Sequence, residues 1–131
     1  MSLDLEILVP DSVVVRTRVR RLQASDASGR FGVLPGHEPF LTLLVPCVLC
    51  YEDEAGRERY AAADGGVMLL EQKEVSVITR EAVVAERLEE VADAVAAMLE
   101  KRRLQEQTAR AEFAELQTTL LRELRKVEKK Q

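Results

Sequence analysis

Two cysteines and one histidine are the residues whose types best suit catalysis or metal binding. Cys47 and Cys50 have the CxxC spacing of redox and zinc sites, but only His37 is available to extend them toward four ligands. In a strand, positions i and i+3 point to opposite faces, so the two thiols would not converge. We therefore interpret both cysteines as buried structural thiols.

The neighbourhood of His37 carries no nucleophile motif such as GxSxG, so we predict no catalytic role for this residue. Residues 29–36, GRFGVLPG, are glycine-rich but lack the Gly-Lys-Ser/Thr ending of a phosphate loop, and they precede a β-rich run. Their glycines predict tight backbone bends. These residues predict a non-catalytic protein.

The first 85 residues have the pattern of a β domain. Short runs of β-branched and alternating apolar residues are separated by turn signals at residues 10–12, 52–56 and 64–66. Their regular spacing predicts a small sandwich or barrel.

The C-terminal part, residues 86–131, has the composition of a helix. It contains no glycine or proline and is dominated by good helix formers. Two apolar stripes at helical spacing are Leu88, Val91, Val95 and Leu99, then Phe113, Leu116, Leu120, Leu124 and Val127. A turn in the polar stretch 102–108, near Gln105, would give an antiparallel hairpin. One helix of more than forty residues is the alternative, because no strong stop signal lies there.

Charge and hydropathy exclude several kinds of partner. The net charge of −4 and an isoelectric point near 5.2 argue against nucleic-acid binding, which relies on Lys and Arg. The longest uncharged run, residues 40–51, is shorter than the roughly 20 residues of a membrane-spanning helix. No secretory signal is visible at the start. We expect a cytoplasmic protein that meets a membrane only through a partner.

The segment at residues 29–42 is long and distinctive enough to be compared with known families. Residues 29–42, GRFGVLPGHEPFLT, resemble the most recognisable stretch of the ATP synthase epsilon family, G-x-x-G-[IV]-[LY]-P-G-H-x-P-[LF]-[LV]-[TS]. The opening LDLEILVP, ADGGV at 63–67 and VSVIT at 75–79 resemble that family in the same order. The resemblance implies a flattened β-sandwich of about ten short strands over residues 1–85, and a two-helix antiparallel hairpin over residues 86–131.

The resemblance also implies a function. The chain would be a non-catalytic central-stalk rotor subunit of a proton- or sodium-translocating F-type ATP synthase, peripheral at the cytoplasmic face of the bacterial plasma membrane. It would couple the gamma subunit to the c-ring, and its tail, extended toward the alpha and beta subunits, would restrain ATP hydrolysis. The implied contacts are Gly29, Arg30, Phe31, Gly32, Val33 and Leu34 with the c-ring, Val9, His37 and Thr42 with gamma, and Arg110, Arg122, Arg125 and Lys126 in the inhibitory tail.

Two departures from the family pattern affect these expectations. Arg30 stands at a position that is acidic in some members, so the polarity of its c-ring contact would change. The ATP-binding motif [IL]-D-x-x-R-A of some relatives corresponds to residues 88–93, LEEVAD, where Ala92 replaces the arginine. We therefore expect no bound nucleotide. We also expect no other cofactor and no metal.

Two rival interpretations come from the residues alone. A small β-barrel enzyme would use His37, Cys47 and Cys50 at a metal or thiol site. A free adaptor would dimerise through a coiled coil formed by its tail, because the apolar stripe from Phe113 to Val127 is nearly heptad-spaced.

Overall fold

The computed structural model describes residues 1–129, which form a β domain followed by one helix. The strands are β1 Leu3–Val9, β2 Ser12–Asp26, β3 Gly29–Val33, β4 Phe40–Asp53, β5 Glu58–Glu71, β6 Glu74–Ile78 and β7 Ala82–Ala85, and the helix is α1 Leu88–Lys129. The chain divides into two compact units, Met1–Met98 and Leu99–Gln131. Within the described residues no helix is both long and apolar enough to cross a membrane.

The seven strands form one sheet that closes on itself. Neighbours follow the order β1, β6, β5, β4, β2 and β3, while β1 also pairs with β2, and β7 pairs with β5. The β5 strand pairs with β7 through residues 60–63 and with β6 through residues 67–71. A strand that exchanges neighbours in this way passes from one layer of a sandwich to the other. The two layers therefore share one core.

The expectation of about ten short strands is wrong, because three strands are long enough to serve both layers. The β2 strand has 15 residues, and β4 and β5 have 14 each. Residues 64–66, predicted as a turn, are instead part of β5. The predicted turns at 10–12 and 52–56 are confirmed, since β1 pairs with β2 and β4 with β5 across them.

Gly66 permits the close approach of β5 to β6. Its φ is +117°, and a Cβ atom built there would lie 2.0 Å from the carbonyl oxygen of Ile78. Only glycine avoids both the clash and the backbone strain of this conformation. The close packing of β5 at this point thus depends on the absence of a Cβ atom at position 66.

Strict alternation in the short strands builds the main core. In β1, Leu3, Leu5 and Ile7 are buried, whereas Asp4 is exposed. The largest buried side chains of this core are Leu3, Leu5, Ile7, Val19, Leu22, Val33, Leu49, Met68, Leu70, Val75 and Val77.

The first turns of α1 pack against the β strands in a second, smaller cluster. Val91, Met98 and Ala62 are buried there, and half-buried Val48 and Val83 surround them. Complete burial of a valine contributes about 1.5–3 kcal/mol. This packing explains why the first compact unit extends to Met98 and not only to the last strand.

The prediction of a two-helix hairpin is wrong, and the alternative of one long helix is observed. The α1 helix is continuous over 42 residues and passes through Gln105 without a break. The physical reason is that residues 102–108 are polar but contain no glycine or proline, so nothing ends the helix there. The predicted domain 86–131 also includes residues 130 and 131, which lie outside the described residues.

Candidate functional site

The segment predicted to meet the c-ring is the β2–β3 hairpin and the turn after it. Gly29, Arg30, Gly32 and Leu34 are exposed, whereas Val33 is buried in the core. Phe31 is half-buried and packs edge-to-face on Phe40, with the ring centroids 6.0 Å apart. Four of the six predicted side chains or backbone positions are therefore accessible to a partner, while Phe31 and Val33 hold the segment in place.

Asp26 fastens this hairpin to the start of β4. Its carboxylate accepts hydrogen bonds from the Ser28 hydroxyl, from the Ser28 backbone N–H at 2.9 Å and from the Thr42 hydroxyl at 2.7 Å. These bonds stabilise the ionised form, first through Ser28 and then through Thr42, and hold the pKa of Asp26 below its ordinary value. The hairpin is thereby positioned by a polar contact that the sequence did not reveal.

The Arg30 guanidinium lies against β4. It donates to the Val48 carbonyl oxygen at 3.1 Å and to the Cys50 sulfur at 3.1 Å, with Ser25 at 3.4 Å. Because the residue remains exposed, its charge is still accessible to a partner. The position that is acidic in some members of the resembled family therefore carries a guanidinium held against β4.

The cysteines occupy different environments. Cys47 is buried in the main core, and burial raises the pKa of its thiol. Cys50 is only partly buried and contacts Arg30, and both thiols are free. Across residues 1–129 no group of three or more His, Cys, Asp or Glu side chains has an arrangement that could hold a metal ion.

The three residues predicted to meet gamma lie near the ends of β1 and β4. Val9 is the last residue of β1, and exposed His37 follows a turn closed by its N–H bond to Leu34. The imidazole lies 5.0 Å from the Phe40 ring, between centroids. Thr42 bonds to Asp26, so its hydroxyl is already engaged within the chain.

A larger apolar surface lies beside these positions, and sequence analysis missed it. Leu41, Leu43 and Ile78 are exposed by 63%, 67% and 53% of their surface. The register joins them through half-buried neighbours, because Leu43 pairs with Val67, Val67 with Ile78, Ile78 with Leu8, and Leu41 with Leu69. We call these six residues the apolar face: Leu8, Leu41, Leu43, Val67, Leu69 and Ile78.

Charged residues mark the boundary of the apolar face. Further along β1 and β6 the outward positions are Asp4, Glu6 and Glu74, and Glu71 ends β5. A signal for this face did exist in the sequence: residues 40–44, FLTLL, place apolar side chains on both sides of one strand. Such two-sided hydrophobicity indicates that both sides are covered in the working protein.

The basic residues predicted to act in the tail are all exposed on α1. Since a helix turns about 100° per residue, Arg122 and Arg125 project opposite the stripe that contains Leu120, and Lys126 lies beside them, toward one flank of that stripe. Arg110 lies on a different side. Lys126 also pairs with Glu123 at 3.3 Å. Together the exposed side chains of Arg122, Arg125 and Lys126 form the basic face of the tail.

Comparisons with known proteins connect these features to a family. The family model described as "ATP synthase, Delta/Epsilon chain, beta-sandwich domain" matches residues 2–85. The ATP synthase epsilon chain 2 of Paraburkholderia xenovorans is 37% identical over 89 residues, 66% of this chain and 64% of the relative. The ATP synthase epsilon chain of Clostridium perfringens is 32% identical over 84 residues, 64% of this chain and 63% of that relative. The aligned part thus spans slightly less than two thirds of these relatives.

Two solved structures have similar folds. A chain in the Euglena gracilis mitochondrial ATP synthase structure, OSCP/F1/c-ring in rotational state 1, is 28% identical with a TM-score of 0.62, covering 79% of this chain and 64% of that one. A chain in the Tetrahymena thermophila mitochondrial ATP synthase structure, central stalk/c-ring, has a TM-score of 0.54 at 11% identity, with coverages of 63% and 66%. The second likeness concerns the fold alone.

The fold and its surfaces define a class of small β-sandwich proteins with a helical tail and an exposed apolar face suited to a protein partner. Because the family model matches well over half of the sequence, this chain belongs to the ATP synthase delta/epsilon chain family.

Proposed function

We propose that this chain is a non-catalytic central-stalk subunit of an F-type ATP synthase, which couples the gamma subunit to the c-ring. The observation that carries the proposal is the apolar face. Three neighbouring large side chains that are more than half exposed, beside a charged rim, are typical of a surface that a partner covers. The family membership and the names of the solved relatives support an ATP synthase as the assembly.

We assign gamma to the apolar face and to Val9 and His37 beside it. The exposed positions Gly29, Arg30, Gly32 and Leu34 are assigned to the c-ring, because they lie together on one accessible hairpin and the turn after it. The chain would then lie at the cytoplasmic face of the plasma membrane, held there by proton- or sodium-translocating subunits. We propose no nucleotide binding, since Ala92 stands where an arginine would contact phosphate.

Co-purification tests this assignment. A tagged full-length chain, isolated from its own cells under membrane-preserving conditions, should recover gamma and the c-ring. The variant Leu43→Glu should lose gamma, because a carboxylate would be buried against that subunit. Leu104→Glu changes a leucine on α1 that is 50% exposed, against 67% for Leu43, and serves as the control. Equal recovery of the partners by both variants would contradict the assignment.

We also propose a second role, in which α1 restrains ATP hydrolysis. Its basic face of Arg122, Arg125 and Lys126 suits an acidic segment on the alpha or beta subunits. A chain that ends at Met98 removes this face and keeps the packing of Val91 on the sheet. The complex with the shortened chain should hydrolyse ATP faster than the complex with the full chain, and an unchanged rate would refute the restraint.

A further inference from the structure

The helix beyond Leu99 carries a second exposed apolar surface. Five large side chains along it are each at least half exposed: Phe113 62%, Leu116 68%, Leu120 59%, Leu124 50% and Val127 57%. Their spacings of three, four, four and three residues place them on one side of α1. We call this set the distal stripe.

The distal stripe is symmetric about Leu120. Leu116 and Leu124 lie four residues before and after it, and Phe113 and Val127 lie seven before and after. When two such helices run antiparallel with Leu120 opposite Leu120, every member of the stripe meets another member. Phe113 faces Val127, which combines a large side chain with a small one, and Leu116 faces Leu124.

The flanking charges are complementary in the same arrangement. On one flank Glu112 lies beside Lys126 of the second copy, and on the other flank Arg110 lies beside Glu128 of the second copy. The two-fold symmetry makes each contact twice, which gives four pairs of opposite charge. Arg122 and Arg125 point away from the contact, so the pairing leaves most of the basic face free.

Because both the apolar spacing and the flanking charges are complementary in this arrangement, we propose that the distal stripe binds a second copy of this chain, forming an antiparallel helix pair. The proposal goes beyond the proposed function, because it concerns the chain outside the ATP synthase. Pairing would cover the stripe until the chain is taken into the complex. Neither gamma nor the c-ring takes part, so the test below is independent of the assignment of those partners.

Sedimentation equilibrium of the purified full-length chain tests the pairing. We expect a dimer at micromolar concentration, and Leu120→Glu should weaken it by at least about 100-fold, because two carboxylates would face each other at the centre. Leu104→Glu, on the opposite side of the same helix, should leave the dimer unchanged. A chain that stays monomeric up to about 100 μM, or a dimer that Leu120→Glu does not weaken, would overturn the proposal.

Charge-reversal variants test whether the two helices run antiparallel. Glu112→Lys and Lys126→Glu should each weaken self-association by about tenfold, because each creates two contacts of like charge. An equimolar mixture of the two variants should form a heterodimer of wild-type strength, since both contacts then join opposite charges. In a parallel pair these positions are about 21 Å apart along the axis. A mixture that associates no better than either variant alone would therefore overturn the antiparallel arrangement.

Discussion

At the scale of single residues, Asp26 shows how one carboxylate positions the hairpin that we assign to the c-ring. It joins the β2–β3 turn, through Ser28, to the beginning of β4, through Thr42. The sequence contained both Asp26 and Thr42, but no pattern joined residues sixteen positions apart. Thr42 was predicted as a gamma contact by resemblance alone, and its bond to Asp26 gives it a structural task as well.

The contribution of Asp26 to stability should depend on pH. Its pKa is lower in the folded chain than the ordinary 3.8, so its contribution is fully present above 3.8 and is lost as the pH falls through the folded pKa. We therefore expect Asp26→Asn to lower the urea midpoint at pH 7, and the difference from wild type to shrink toward zero as the pH falls below 3.8 and through the lower, folded pKa. Asp11→Asn, in the exposed β1–β2 turn, is the control. A difference that persists unchanged in acid would contradict this role.

At the scale of elements, the sandwich depends on strands that bend and on a helix that docks. The sequence predicted the β character of residues 1–85 and most of the turns correctly, because alternation and turn residues are local signals. It failed at residues 64–66, where two glycines suggested a turn. The glycine at position 66 instead admits the backbone of Ile78, a contact between strands that local propensity does not contain.

Because a Cβ atom does not fit at Gly66, adding one methyl group there should greatly lower the stability of the fold. Gly66→Ala should destabilise the fold by about 3 kcal/mol, because a Cβ atom there collides with the Ile78 carbonyl and also strains the backbone. Gly29→Ala is a matched control, since its φ of +120° is nearly the same but nothing lies within 4 Å of the added carbon. It should cost about 1 kcal/mol. Chemical denaturation measures both, and equal costs would show that backbone strain alone explains Gly66.

The docking of the first turns of α1 gives a third prediction. Val91→Ala should lower the free energy of unfolding by about 1–2 kcal/mol, because Val91 is completely buried. Leu88→Ala in the same turn region removes a side chain that is 47% exposed and should cost about 0.5 kcal/mol or less. Thermal or urea unfolding distinguishes them. If the two substitutions cost the same, the helix does not dock through Val91.

The length of α1 shows what a composition can and cannot predict. The absence of glycine and proline after residue 86 correctly predicted helix, but the polar stretch around Gln105 allowed two interpretations. Polarity does not end a helix; a stop requires a residue that leaves the helical conformation or lacks a backbone donor. That distinction explains why the single helix is observed in place of the predicted hairpin.

At the scale of the whole molecule, the segment at residues 29–42 identified the family, while the full surface that would hold a partner became visible in the structure, and the run FLTLL at residues 40–44 signalled only part of it. The apolar face collects residues from β1, β4, β5 and β6. No stretch of sequence contains it, because strand order determines which side chains become neighbours. The contacts predicted for the c-ring, gamma and the basic tail remain predictions, and the structure shows which of those side chains are accessible.

Binding to purified gamma subunit tests the central claim most directly. A titration followed by calorimetry should show tight binding by the wild-type chain and by Leu104→Glu. Leu43→Glu and Ile78→Glu should each bind at least about 100-fold more weakly, because each places a charge in the centre of the apolar face. Circular dichroism should show that both variants stay folded, since the two side chains are more than half exposed. Wild-type affinity in both folded variants would contradict the assignment of gamma to this face.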